Sequence, residues 1–379
     1  MNENPNPPSR FDQTVTAIRA IVPREWLPCY PNFPQPTIVD TLEEAVRDVP
    51  SLESLALATL KHECLIVQQT HPNRKLRQQT DSLPALPRTI QDEKLFSDHD
   101  LFLLGHDTAA PLNIVQDQIY LRHSKFIPTI KPLIHVGTVF HRLGYQYSET
   151  LYDKSDYLSY AYAKLMREYI HQAVLPVIQN TINARLPIGI FELHELRSGY
   201  RELVELDPLT WAVTLPLRAT LEQFIESQTF RDKNTQKPVH VQFSNDCANP
   251  LVVIDPGDLF RMTRNLLRDA VTHGDGPTIT PLIHITERDG VVEYSIYSPG
   301  QLDAKTLAII GKQPYTTKDC GDRPHGYGKV GARKLLTALW NALGVSPRDI
   351  ESLLHDHWSN TMLDGSPFVR WTAPLPIAE

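Results

Sequence analysis

Residues 255–274 read DPGDLFRMTRNLLRDAVTHG, and the fold turns on this stretch. Leu259, Met262, Leu266 and Ala270 recur at spacings of three and four, the apolar stripe of an α-helix. Asp258 suits its start and Gly274 its end. On another face Asn265, Asp269 and His273 stand at i, i+4 and i+8. The helix therefore offers an amide, a carboxylate and an imidazole to a cleft while its apolar side packs on a sheet. Oxygen ligands of this kind suit a hard cation such as Mg²⁺, which takes few protein ligands and favours phosphate as partner. A solvated amphipathic helix has the same pattern, so this stretch does not decide function alone.

The flanks supply the sheet. HVQF (240–243) and PLVVI (250–254) are short strand candidates. TITPLIHIT (278–286) and VVEYSIYS (291–298) alternate with period two and are joined by Asp289-Gly290, a strong hairpin signal. PYTTKDCGDRPHGYGKVGARK (314–334) gathers Gly321, Gly326, Gly328 and Gly331 in a chain with only 17 glycines against 31 prolines. Glycine-exposed amides, a following helix N-terminus and a lysine favour a polyphosphate. ARKLLTALWNALG (332–344) reads as a helix and FVRWTAPL (368–375) as a last strand. Helices on one face of such a strand set make an α/β sandwich with a mixed sheet.

The N-terminal half reads as helical. Residues 1–40 are Pro-studded and expected to be irregular, a candidate docking arm. Residues 41–70 carry two helices broken at Pro50, with Ser51 a plausible N-cap. Residues 71–94 read as a linker. A helix is expected from about 97 to 122, because Leu101, Leu104, Thr108, Leu112, Val115 and Ile119 form a bundle stripe. His106 stands two residues past Leu104, about 200° around that helix, and so faces away from the stripe. Pro111 removes an amide bond to the Asp107 carbonyl and should kink the helix. Residues 151–184 look helical, with a break near Pro176.

Composition bounds the rest. The chain has 379 residues, 41% of them hydrophobic and 21% charged, enough apolar material for two or three cores. A net charge of −7 argues against a protein that coats nucleic acid. No run of about 18 apolar residues suggests a spanning helix, and MNENPNPPSR lacks a signal-peptide core. Cys29, Cys64, Cys247 and Cys320 make no CxxC pair, so neither a zinc site nor a redox motif is expected. A cytoplasmic protein is the expectation.

Four segments together resemble a known family. NLLRDAVTH (265–273) resembles the N-box of histidine kinases and the wider Bergerat-fold ATPases. TTK (316–318) followed by HGYGKVGARK (325–334) is similar to that family's F-box and second glycine box. SIYSPGQL (295–302) stands in the place of the first glycine box, and GHDTAAPLN (105–113) resembles the phosphoacceptor H-box. The resemblance spans residues 96–379 and keeps the family's order.

It implies an α+β multidomain chain: residues 1–95 of unknown role, a dimerisation and phosphoacceptor bundle at 96–200, and a Bergerat-type α/β sandwich that binds ATP at 201–379. His106 would accept the phosphoryl group, with Asp107 as its acid/base. Asn265, Asp269 and His273 would lie on the phosphate side, with Mg²⁺ on Asp269. Ser298 and Gly300 would line the nucleotide site, and Thr317, Lys318, Gly326 and Gly328 the lid over it. The implied protein is a homodimer that passes the phosphoryl group to a response-regulator aspartate, without nucleic acid or membrane span. The second bundle helix would come from 150–184 or 131–149.

The departures are specific. Asp269 stands where the family usually has asparagine, and Ser298 near where it has the adenine-binding aspartate. Ala110 takes the place of the polar residue used in dephosphorylating the partner. A degenerate kinase acting as scaffold or phosphotransfer module is therefore the alternative. An ATPase that drives conformational change and a pure interaction protein are the rivals from other classes.

Overall fold

The computed structural model describes residues 8–23, 38–70, 73–84, 97, 100, 103–137, 160–231, 238–273, 280–310, 312, 327–355 and 357–378. They fall in two units, Met1–Ile188 and Gly189–Glu379.

The first unit is helical. Arg10–Arg19 is a helix where irregular chain was expected, started by a capping box: the Asp12 amide donates to Ser9 Oγ and the Ser9 amide to the Asp12 carboxylate, both at 3.1 Å. Ile38–Asp48 and Glu53–Thr70 follow, joined by a 3₁₀ turn at Pro50–Leu52. Ser51 lies inside that turn and its hydroxyl donates to Gln172, so it is no N-cap. The expected linker contains a helix, Arg74–Asp81, capped by the Asn73 side chain.

The helix expected at 97–122 changes gauge. Leu103–Asp107 is a π turn and Ala109–Arg122 is α-helical. Thr108 N–H reaches back five residues to Leu103 O at 3.0 Å, and its hydroxyl bonds the same carbonyl. Pro111 has no N–H for the Asp107 carbonyl, which loosens the ladder at this point. The stripe is buried as expected at Leu104, Thr108, Leu112, Val115 and Ile119. A second π turn, Ile170–Val174, lies between helices Tyr160–Tyr169 and Leu175–Asn183, next to Pro176.

The second unit is an α/β sandwich, which makes the chain α+β. Its strands are β1 (Val213–Pro216), β2 (Gln242–Phe243), β3 (Leu251–Ile254), β4 (Leu282–Arg288), β5 (Val291–Pro299), β6 (Trp358–Leu363) and β7 (Ser366–Pro376). Five form a mixed sheet in the order β2-β4-β5-β7-β6, with β2 parallel to β4 and the other pairs antiparallel. β1 and β3 pair separately. The β4–β5 hairpin turns at Asp289 and Gly290, both at positive φ. Period-two residues Ile283, Ile285, Val292, Tyr294, Ile296, Trp371, Ala373 and Leu375 build one sheet face. Leu259, Met262, Leu266 and Leu267 of the Pro256–His273 helix share that core, as do Leu335, Leu336 and Leu339 of Tyr327–Ala342.

A helix the sequence reading left blank, Ile190–Leu203, is bound to Pro256–His273 by buried charges. Arg197 and Arg201 bond Asp255 at 2.6 and 2.8 Å, and Arg201 also bonds Asp258. Arg264 bonds Glu192 and Glu195, and Arg261 bonds Glu202. For this reason residues 189–200, expected with the bundle, sit with the sheet.

Candidate functional site

The candidate nucleotide site gathers around the C-terminal half of Pro256–His273. The stripe that faces the sheet leaves Asn265 and Asp269 half-buried on another side of the helix. Ser298, at the end of β5, reaches this helix: its hydroxyl donates to the Ala270 carbonyl at 3.4 Å. Gly300 follows at φ +125°, a backbone region open to glycine, and its N–H donates to Pro367 O at 3.0 Å. Leu302 is then fastened to β6, giving its N–H to Asn360 Oδ1 at 3.0 Å and accepting from Asn360 Nδ2 at 2.6 Å.

The second glycine box enters from the other direction. Gly328 lies in the first turn of Tyr327–Ala342, and the next residue, Lys329, bonds the Asp269 carboxylate at 2.5 Å. The lysine also lies over the Trp358 ring of β6, 5.9 Å from its centroid. Lys329 is 17% exposed and Asp269 38%, so the pair sits at the rim rather than inside the core. Asp269, Ser298 and Lys329 thus come from three separate sequence motifs and meet at the C-terminal half of one helix.

Other expected residues stand elsewhere. His106 and Asp107 belong to the first unit, in the π turn, and Asp107 is half-buried. For His106 and His273 the backbone alone is described. Thr317, Lys318 and Gly326 lie outside the described residues, as do Cys29 and Cys320. Cys64 and Cys247 are buried free thiols.

Three residues of the site were missed. Lys329 sat inside a glycine-rich motif and was read only as part of it. Trp358 and Asn360 lie on β6, a strand not anticipated, although Asp364-Gly365 is a hairpin signal of the same kind as Asp289-Gly290.

The donors present fit a polyphosphate: a lysine ammonium at a helix N-terminus, an amide one turn away, and glycine backbone that admits close approach. They do not fit Mg²⁺ on Asp269. That carboxylate already holds an ammonium through Oδ2, so a divalent ion on its other oxygen would stand beside a like charge. Among the described residues, no three His, Cys, Asp or Glu side chains group to hold a metal ion.

No family model matches the chain, and no curated protein matches it. Solved structures do. A mycobacterial sensor histidine kinase, MprB, is 11% identical with a TM-score of 0.30, over 44% of this chain and 99% of that one. Full-length ShkA in complex with AMPPNP is 15% identical with a TM-score of 0.33, over 75% of this chain and 47% of that one. The Acinetobacter baumannii histidine kinase AdeS is 12% identical with a TM-score of 0.29, over 62% of this chain and 93% of that one. MprB and AdeS are histidine kinases. At such scores the likeness carries no weight by itself, and the functional reading stands on the residues.

Proposed function

We propose that the chain is a divergent histidine kinase that binds ATP in its second unit and phosphorylates His106. What supports the reading is that segments of three motifs of the resemblance meet on Pro256–His273, Lys329 at Asp269 and Ser298 at the Ala270 carbonyl. Nothing in the spacing of those motifs requires them to meet if they are accidental.

In the proposed reaction an imidazole nitrogen of His106 bonds to the γ-phosphorus. The bond from that phosphorus to the β–γ bridging oxygen breaks, and ADP leaves. Asp107 takes up the imidazole proton or stabilises the cation as the ring turns nucleophile. The nucleotide side works by positioning and charge neutralisation. Asn265, Lys329 and the helix N-terminus at Tyr327 serve the phosphates, with Thr317, Lys318 and Gly326 as the lid. His273 flanks the same helix end.

Phosphoryl transfer to a response-regulator aspartate, a homodimeric bundle and a cytoplasmic setting complete the proposal. No described helix is long and apolar enough to cross a membrane. The alternative of a degenerate kinase is favoured by Ser298, which offers adenine no charge-assisted acceptor. Labelling the chain with ATP carrying a radioactive γ-phosphate tests the choice. The kinase predicts protein-bound label that acid releases and alkali leaves; a chain that takes up no label is the degenerate form.

A further inference from the structure

We infer that Lys329 supplies, from within the chain, the positive charge that a divalent ion would otherwise bring to the nucleotide phosphates. The inference rests on the nucleotide reading above and concerns the same site.

Three observations carry it. The Lys329 ammonium lies 2.5 Å from Asp269, the carboxylate in the position expected to hold the metal. The Trp358 ring beside it, at 5.9 Å, gives the cation a second partner from a different element, β6. Lys329 lies in the first turn of Tyr327–Ala342, where the positive end of a helix dipole adds to its charge.

The chemistry is consistent. An ammonium has three N–H groups, and one bond to Asp269 does not exhaust them. Aspartate in place of asparagine would otherwise add a negative charge beside a triphosphate. Paired with lysine it adds none, and it holds the ammonium at the phosphate side of the helix. A metal on the other oxygen of Asp269 would stand beside this like charge, which lowers what it can add.

The test is ATP binding by the full chain, measured by calorimetry in excess Mg²⁺ and in EDTA, for wild type, Lys329→Met and Asp269→Asn. For wild type the dissociation constants in the two media should agree within about threefold. Lys329→Met should weaken binding in EDTA by about 10- to 100-fold, the worth of a hydrogen bond to a charged group. Asp269→Asn, which removes a like charge and frees the ammonium, should bind ATP in EDTA at least as tightly as wild type. Wild-type binding that drops tenfold or more in EDTA, or an Asp269→Asn variant that loses its Mg²⁺-supported affinity, overturns the inference and leaves the kinase reading intact. Binding in neither medium overturns the nucleotide reading and this inference together.

Discussion

Asp255 has no exposed surface and sits between two guanidinium groups, Arg197 and Arg201. Burial and the neighbouring Asp258 push its carboxyl up to about 6, while the arginines pull it down. Asp255→Ala would leave both arginines buried without that partner. Breaking a buried pair from one side costs about 3–5 kcal/mol, and a denaturant midpoint reads that loss; a change under about 1 kcal/mol would contradict the pairing. His357 and His194 make stability fall with acid, opposite in sign to the raised carboxyls of Asp255 and Glu195. Burial pushes both down to about 3, and His357 accepts a hydrogen bond from Trp371 Nε1 at 2.6 Å. Unfolded, each histidine protonates near its ordinary value of 6.5. Below 6.5 these two histidines therefore bind more protons unfolded than folded, and their contribution to stability falls as pH drops from 6.5 toward 3. Thermal melts across this window should show a shallower fall for His357→Gln, whose amide can still accept from Trp371. An unchanged slope would contradict a neutral buried His357.

At the scale of elements, two glycines make opposite demands. A Cβ on Gly257 would run into the His194 backbone carbonyl, so the Ile190–Leu203 helix needs a glycine there to pack closely. Gly290 has open space around it but a φ of +79°. Gly290→Ala should cost about 1 kcal/mol, from backbone strain alone. Gly257→Ala should cost more, about 2–3 kcal/mol, because packed backbone has to move. Equal melting shifts for the two variants would contradict this contact. The period-two strands and the Asp289-Gly290 turn were legible because alternation and turn chemistry are local. Ile190–Leu203 was not: its charged residues Glu192, Glu195, Arg197 and Arg201 give no apolar stripe there, and only a second charged helix makes them core residues. Arg10–Arg19 hid behind its prolines, although Ser9 and Asp12 already spelled a capping box. Pro111 and Pro176 announced irregularity, but not that the chain would widen into a π turn.

Across the whole molecule the motif order was readable and the charge balance of the site was not. Asp269, Ser298, Gly300 and Gly328 were expected at one site; the structure shows Lys329 paired with Asp269 and Ser298 bonded to the Ala270 carbonyl. The N-box resemblance put Mg²⁺ on Asp269; its 2.5 Å pair with Lys329 depends on how two helices lie in space, which spacing along the chain does not record. Ala110 bears on the molecule's output. Without a polar side chain four residues past His106, the chain should dephosphorylate a partner regulator poorly. A phosphorylated regulator mixed with the chain should keep its label, and rapid loss would contradict that reading. The most direct measurement compares the full chain with His106→Gln, following protein-bound label and free phosphate from ATP labelled on its γ-phosphate. Acid-labile label on the wild type and none on the variant is the predicted result. Equal label on both, or phosphate release with no label on either, would contradict the account.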